Sequence, residues 1–343
     1  MLEYIDIKGT NLISSRIALG TWAIGGWMWG GTDEKESIRT IHTALDKGIN
    51  LIDTAPIYGY GRSEEIVGQA LRQDGRREGV ILATKVGLDW TNDKIERNST
   101  RKRILQEFED SLRRLQTDYI DIYQVHWPDP LVPVEETAAT LRELYEQGKI
   151  RAIGVSNYSP EEMARFQTVA PLHTIQPPYN LFEREIEHDV LPYALSRGVT
   201  TLTYGALCRG LLSGAMRIDR HFANGDMRQT ADPKFQPPHF GEYLNAAIKL
   251  DAFARENFGK RVIHLAVRWL LDQPGVGVAI WGARRPEQLA FIAALSGWKL
   301  TKSDFAAIET ILRENIHDPV GPEFMAPPAR ETAGLVTVDE GSN

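Results

Sequence analysis

The sequence predicts an α/β protein, a closed (β/α)8 TIM barrel with an N-terminal β-hairpin and an extra C-terminal helix and tail. Three observations carry this. Eight short apolar runs alternate with helix-patterned stretches through most of the 343 residues, the rhythm of strands that each return through a helix. Several runs stop abruptly at a residue fit for chemistry, as strands do when their C-terminal ends open on an active site. The first strand–helix turn, around Gly25-Gly26, lacks the GxGxxG spacing of an open dinucleotide-binding sheet. No low-complexity segment or linker divides the chain, so residues 1–343 read as one barrel domain.

Taken in order, Leu2 to Ile7 alternates apolar and polar residues, and Gly9-Thr10-Asn11 turns the chain into Leu12 to Ile17. This predicts a hairpin over residues 1–16 that caps the N-terminal side of the barrel. Ile17 to Thr21 is the first barrel strand, followed by the tryptophan- and glycine-rich loop Trp22 to Gly31. In the next helix Ile38, Ile41, Ala44 and Leu45 share one face, and Gly48 stops it. Gly48 to Ile52 is the second strand and ends at Asp53, with Tyr58 in the Pro/Gly-rich loop beyond.

Ser63 caps the helix that follows, and the third strand, Val80 to Thr84, ends at Lys85. Ile104, Phe108, Leu112 and Leu115 recur at helical spacing, after which Tyr119 to Val125 forms a strand ending at His126. Pro133 to Gln147 is a helix stopped by Gly148, and Ile150 to Val155 a strand ending in Ser156-Asn157. A short helix, Pro160 to Phe166, leads to the strand His173 to Gln176. A helix over Ile186 to Arg197 leads to the strand Val199 to Thr203, ending in Tyr204-Gly205. A long segment, Cys208 to His239, then precedes helices at Glu242 to Asn257 and Val262 to Leu271. Loops of this length inside a compact domain usually carry function. The eighth strand is Val276 to Ile280, its helix Pro286 to Leu295, and Ser303 to Ile316 adds one more helix. Residues 317–343 read as an extended tail, its final stretch expected to be disordered.

Composition narrows the function. A net charge of −7 argues against a nucleic-acid partner. A single cysteine, Cys208, excludes an internal disulfide and suits a reducing compartment. Met1 to Gly9 carries Glu3, Asp6 and Lys8 instead of a secretory apolar core, and no apolar run approaches the ~20 residues of a membrane span. The expectation is a cytoplasmic protein acting on a small molecule.

The strand ends give the chemistry. With the strands as parallel neighbours, an acid, a phenol, an ammonium and an imidazole reach one rim. A tyrosine of ordinary pKa near ~10 is a poor acid at neutral pH, but a neighbouring ammonium favours its phenolate. Lys85 is expected to supply that charge and Asp53 to hold the lysine. Tyr58 then protonates a carbonyl oxygen as hydride reaches carbon, with His126 orienting the carbonyl. The scattered histidines give no metal set.

The motifs GINLIDTAPIYGYGRSEEIVG, ATKVG, QVHWPD, GVSNY, TYGALCRGLLSG, WGARRPEQL and DPVGPEFMAPP, in this order and with Gln176 between the fourth and fifth, resemble the aldo-keto reductases, in the bacterial branch of general-stress and inositol-operon reductases. The resemblance runs from about Gly20 to Pro328. It implies NADPH-dependent, reversible reduction of small aldehydes, including hydroxylated ones such as glyceraldehyde, with Asp53, Tyr58, Lys85 and His126 as the catalytic four.

It also implies the cofactor contacts. Gly20, Thr21 and Trp22 lie beside the cofactor, Ser156, Asn157 and Gln176 hold the nicotinamide amide, and Tyr204 stacks on its ring. Gly205, Leu207, Arg209, Gly210 and Gly214 follow the pyrophosphate, and Gly282, Ala283, Arg284, Arg285 and Gln288 bind the adenosine 2′-phosphate. Arginine suits that phosphate. The chain departs from the family in having Phe291-Ile292 where many members have Glu-Asn, which loosens the adenine grip and leaves NADH as a weaker partner. Trp29 and Trp127 are expected to wall the substrate pocket.

Three competing readings follow from the same residues. Asp53 and Lys85 could form only a structural ion pair. A barrel aldolase would need Lys85 unpaired, which Asp53 opposes. A cofactor-binding redox sensor or regulatory subunit without turnover would not need the intact catalytic set.

Overall fold

A computed structural model describes residues 2–91 and 94–330. The chain opens on an antiparallel hairpin of β1 (Tyr4–Asp6) and β2 (Ile13–Ser15), with Tyr4 opposite Ser15 and Asp6 opposite Ile13. Ile7 at its turn is fully buried among Ala18, Leu51, Ile122 and Leu202, and so plugs the floor of the barrel.

Barrel strands β3 (Ile17–Gly20), β4 (Leu51–Asp53) and β5 (Ile81–Val86) come next. A second small hairpin, β6 (Leu88–Thr91) and β7 (Lys94–Arg97), leaves the rim directly after β5. The barrel continues with β8 (Ile120–Val125), β9 (Ile150–Ser156), β10 (Thr174–Gln176), β11 (Thr200–Thr203) and β12 (Val276–Gly282). All barrel neighbours are parallel, and β12 closes the ring by pairing Ile280 with Ala18 and Gly282 with Gly20.

Two apolar layers follow from the two faces of each strand. Ala18, Leu51, Ala83, Ile122, Ala152, Leu202 and Val278 fill the inside. Their neighbours Leu19, Ile52, Leu82, Tyr123 and Ile153 point outward and meet helical stripes that include Ile41, Ile66, Phe108 and Leu141. Each such side chain contributes about 1.5–3 kcal/mol when fully buried. The helix Arg101–Leu115 shows the local logic. Thr100 accepts from the Arg103 N–H at its start, Phe108 packs edge-on to Tyr123 at 5.5 Å, and Gln116 ends it in the left-handed conformation.

Elsewhere the helices depart from their expected bounds. The stretch expected as one helix to Arg197 is a 3-10 turn, Glu185–Glu187, followed by a helix over Val190–Arg197. After β12 the chain forms a 3-10 segment, Pro286–Ala294, followed by an α-helix over Lys302–Asn315. The 208–239 segment is compact. It holds short turns at Cys208–Ser213, Met227–Thr230 and Pro233–Phe235, the last two capped by Asp226 and Asp232. The following helix, His239–Phe258, begins earlier than expected. The tail is described as far as Arg330, and its expected disordered end lies outside the described residues. Among the described residues no helix is long and apolar enough to cross a membrane.

Candidate active site

Strand pleating builds the site. Leu51, Ala83, Ile122 and Leu202 face the barrel interior, and the next side chain on the same face lies two residues on. Those residues are Asp53, Lys85, Gln124 and Tyr204, at the C-terminal rim. Lys85 is fully buried and Asp53 nearly so. The Lys85 ammonium donates to Asp53 Oδ1 at 2.9 Å, Asp53 Oδ2 at 2.8 Å, the Thr54 carbonyl at 3.0 Å and the Tyr58 hydroxyl at 3.2 Å. The strand end itself is fixed by Thr21, whose hydroxyl donates to the Asp53 carbonyl at 2.9 Å and accepts from Ser63 at 2.8 Å. Thr21 is fully buried in that role, with no surface left for a ligand.

The electrostatics correct the expectation for Tyr58. Burial, reinforced by the negative charge of Asp53, pushes its phenol well above the ordinary range, so Tyr58 is protonated at neutral pH. Burial also lowers the Lys85 ammonium, against the pull of Asp53. The His126 imidazole is held well below its usual value by burial and then by the Lys85 charge, and is therefore neutral. Its ring meets Tyr58 edge-on at 5.8 Å. This is an acid stored in its protonated form beside a neutral imidazole.

Next to it lies an amide-rich wall. Ser156 Oγ donates to the Gln176 carbonyl at 2.7 Å, and Asn157 Nδ2 donates to the His126 carbonyl at 3.0 Å and to Ser156 Oγ at 3.1 Å. Asn157 adopts φ +60°, a left-handed conformation that asparagine tolerates. The Tyr204 hydroxyl donates to Asn157 Oδ1 at 2.9 Å. Gln176 Nε2 donates to Asp53 Oδ1 at 2.7 Å.

These groups open on a cavity of about 440 Å³. Tyr58, His126, Ser156, Asn157, Gln176 and Tyr204 form one end; Trp22, Trp27, Ile57, Leu88, Ile95 and Trp127 form an apolar wall. Phe324 to Pro328 of the tail cover it. The tail is fastened by Arg97, which donates from Nε to the Pro327 carbonyl at 2.8 Å and from its backbone to the Pro328 carbonyl at 3.1 Å.

Other expected residues fall elsewhere. Trp29 is not part of the wall. It stands edge-on behind Trp22 at 5.4 Å with the Arg228 guanidinium over its ring, because left-handed turns at Met28 and Gly30 swing it away and leave Trp27 facing the cavity. The Arg209 side chain is buried and bonded to Glu183 and Asp232, so its guanidinium is committed within the protein. Gly205, Gly210 and Gly214 all take positive φ in this segment, Leu207 is half-buried, and Gly20 packs against Ile280.

At the end of β12 Gly282 is exposed, the following Ala283 is buried, and Gln288 Oε1 accepts from the Arg284 and Arg285 N–H groups at 2.8 and 3.1 Å. Arg284 donates to the Trp29 carbonyl at 2.8 Å, Arg285 is exposed, and the charges of Arg228, Arg285 and Arg220 all bear on Arg284. Ile292 is core, and Phe291 packs against His264. The sequence places the tryptophans of the rim loop, Trp27 among them, at a pocket wall without separating Trp27 from Trp29, and it misses Gln124 and the β6/β7 hairpin that supplies Leu88 and Ile95. Leu88 to Trp90 and Ile95, flanking Asn92-Asp93, were the available signal.

A parallel barrel whose rim joins a phenol, a buried Lys–Asp pair and an imidazole is equipped for acid–base chemistry at a small bound molecule, and the comparisons give its class as an oxidoreductase. The chain belongs to the aldo/keto reductase family, whose sequence model matches residues 16–313. It is 62% identical over 330 residues to the aldo-keto reductase YhdN of Bacillus subtilis (strain 168), covering 96% of this chain and 99% of that one. It is 34% identical to the NADH-specific methylglyoxal reductase of Escherichia coli (strain K12), over 91% of this chain and 98% of that one. The structure of the glycerol dehydrogenase AKR11B4 from Gluconobacter oxydans superposes with a TM-score of 0.84 at 52% identity, covering 94% and 99% of the two chains.

Proposed function

We propose that this protein catalyses the reversible, NADPH-preferring reduction of small aldehydes to alcohols, with Tyr58 as the proton donor. The observation that carries the reading is the 3.2 Å contact between Lys85 Nζ and a Tyr58 hydroxyl at the wall of the cavity. Ser156, Asn157 and Gln176 would hold the amide of a nicotinamide cofactor, which would supply the hydride. The residues fit that group, since one end of the cavity is lined by the amide and hydroxyl side chains of Ser156, Asn157, Gln176 and Tyr204.

Tyr58, kept protonated by its surroundings, gives its proton to the carbonyl oxygen and takes it back in alcohol oxidation. The neutral His126 offers an N–H to the same oxygen. Lys85, fixed by Asp53, holds the phenol in place and stabilises the charge that develops on it. The aromatic wall excludes water.

The preference for NADPH rests on Arg284. Burial, and then the like charges of Arg228, Arg285 and Arg220 against the pull of Asp226, oppose its ionisation, and a bound phosphate would offset those charges. The mainly apolar outer wall favours aliphatic and aromatic aldehydes over hydroxylated ones such as glyceraldehyde. The single cysteine, buried Cys208, fits a reducing, cytoplasmic setting.

The test is a fluorescence titration with NADPH and NADH, followed by an aldehyde panel while nicotinamide absorbance is recorded. Cofactor oxidation is expected, and Tyr58→Phe should lower kcat by about 10²–10⁴-fold while NADPH binding is retained. Binding without turnover across the panel, or a fully active Tyr58→Phe, would overturn the reading.

A further inference from the structure

A barrel interior is a costly place for an uncharged amide, which needs partners there for two N–H groups and a carbonyl. Gln124 is 0% exposed and Gln176 2%. Both are directed at Asp53. Gln176 Nε2 donates to Asp53 Oδ1 at 2.7 Å, and Gln124 Nε2 approaches the same oxygen at 3.5 Å. Gln124 Oε1 also accepts from Gln176 Nε2, at 3.5 Å. A carboxylate can only accept, so each amide must turn its nitrogen toward it.

Space is made for this arrangement. Gly154 lies beside Gln124 in the β8–β9 register, and a Cβ there would collide first with the Thr174 hydroxyl and also fall 2.7 Å from Gln124 Cγ. Gln124 is absent from the cavity wall, whereas Gln176 forms part of it.

We propose that Gln176, steadied by Gln124, is a positioning residue for the proton-donor assembly. By donating to Asp53 from the cavity wall, it sets the charge that Asp53 presents to Lys85 and Tyr58, and it couples that charge to a cofactor held against the same amide. The inference rests on the reading of Tyr58 as the proton donor. Its physical basis is that two N–H dipoles aimed at a carboxylate partly offset its field. Burial is the main reason that Tyr58 resists ionisation and the Asp53 charge adds to it, so uncovering that charge makes the phenol harder still to ionise. Tyr58 is also faced by Lys85, His126 and Tyr204, which the substitutions below leave in place.

The experiment measures kcat against pH at saturating NADPH for the wild type, Gln176→Met, Gln176→Asn and Gln124→Met. Cofactor dissociation constants and an ultraviolet difference titration of each protein against its Tyr58→Phe counterpart accompany it. Both Gln176 variants lose the short contact with Asp53, and one folded variant is enough. The alkaline ionisation of the Tyr58–Lys85 unit is expected to rise by about 0.5 pH unit or more, together with weaker NADPH binding. Gln124→Met should move the same ionisation upward by less and leave NADPH binding unchanged, since it does not reach the cavity. Profiles of the Gln176 variants that superimpose on the wild type's, with only binding weakened, would reduce Gln176 to a cofactor clamp and overturn the proposal. A Tyr58→Phe enzyme with wild-type turnover would instead overturn the underlying reading, and the two failures are separated by that control.

Discussion

Replacing Lys85 with methionine separates the two tasks its ammonium can perform. The side chain is fully buried and donates to both Asp53 oxygens, the Thr54 carbonyl and Tyr58 at 2.8–3.2 Å. Methionine has similar length but no charge, so Asp53 is left as a buried carboxylate whose best remaining partner is Gln176 at 2.7 Å. Removing one partner of a buried pair costs about 3–5 kcal/mol. The retained Gln176 bond places the expected loss near the lower end of that range.

The double variant Lys85→Met/Asp53→Asn removes both charges together and should recover most of the stability. It should not recover catalysis. Without the ammonium, nothing holds the Tyr58 hydroxyl or stabilises charge developing on it, and kcat is expected to stay about 10²–10⁴-fold below wild type. Stability is read from guanidinium unfolding at pH 7, and turnover from NADPH oxidation with saturating aldehyde. A double variant that regains both stability and a kcat within about threefold of wild type, well short of the smallest loss expected for a proton-transfer group, would show that Asp53 and Lys85 form only a structural pair.

Arg284→Ala should weaken NADPH by about 10–100-fold, the worth of a charge-assisted phosphate bond, and NADH much less; equal losses would place the phosphate elsewhere. Trp127→Ala should raise KM for aromatic aldehydes by about tenfold or more, from lost apolar contact, and an unchanged KM would put the substrate on another wall. Glu107 gives a pH prediction. Burial raises its carboxyl to about 7, against the opposing pull of Arg103 and the Gly87 N–H. A folded-state value above the unfolded one means that the neutral form favours folding. This contribution is complete below about pH 4 and is lost as pH rises through 7, by up to about 3 kcal/mol. Glu107→Gln should remove that slope between pH 5 and 8 in urea unfolding, and parallel pH dependences for the two proteins would refute it.

The barrel was legible because its signals are local. Asp53, Lys85 and His126 each interrupt an apolar run, and the stripe Ile104, Phe108 and Leu115 marks its helix whatever packs on it. What remained hidden depends on three dimensions. The β6/β7 hairpin has two strands of four residues each, too short for a periodic signal. Trp27 and Trp29 are equivalent in spacing, and only the left-handed turns at Met28 and Gly30 decide which one meets the cavity. Gln124 follows from counting two residues beyond Ile122, but its meaning needs Asp53 on another strand.

The state of Tyr58 shows the same limit in energetic form. The sequence supplies a cation for the phenol and predicts that it ionises more easily. The folded chain buries the phenol beside the expected Lys85–Asp53 pair, and burial, with the Asp53 charge adding to it, decides the outcome. A protonated phenol anchored by a charge-neutral pair has a proton ready to donate, and the ammonium at 3.2 Å from its oxygen is placed to receive the negative charge once that proton has left. Under the proposed proton-donor role of Tyr58, a residue that adjusts this balance, such as Gln176 through its 2.7 Å bond to Asp53, acts on the same proton without touching it.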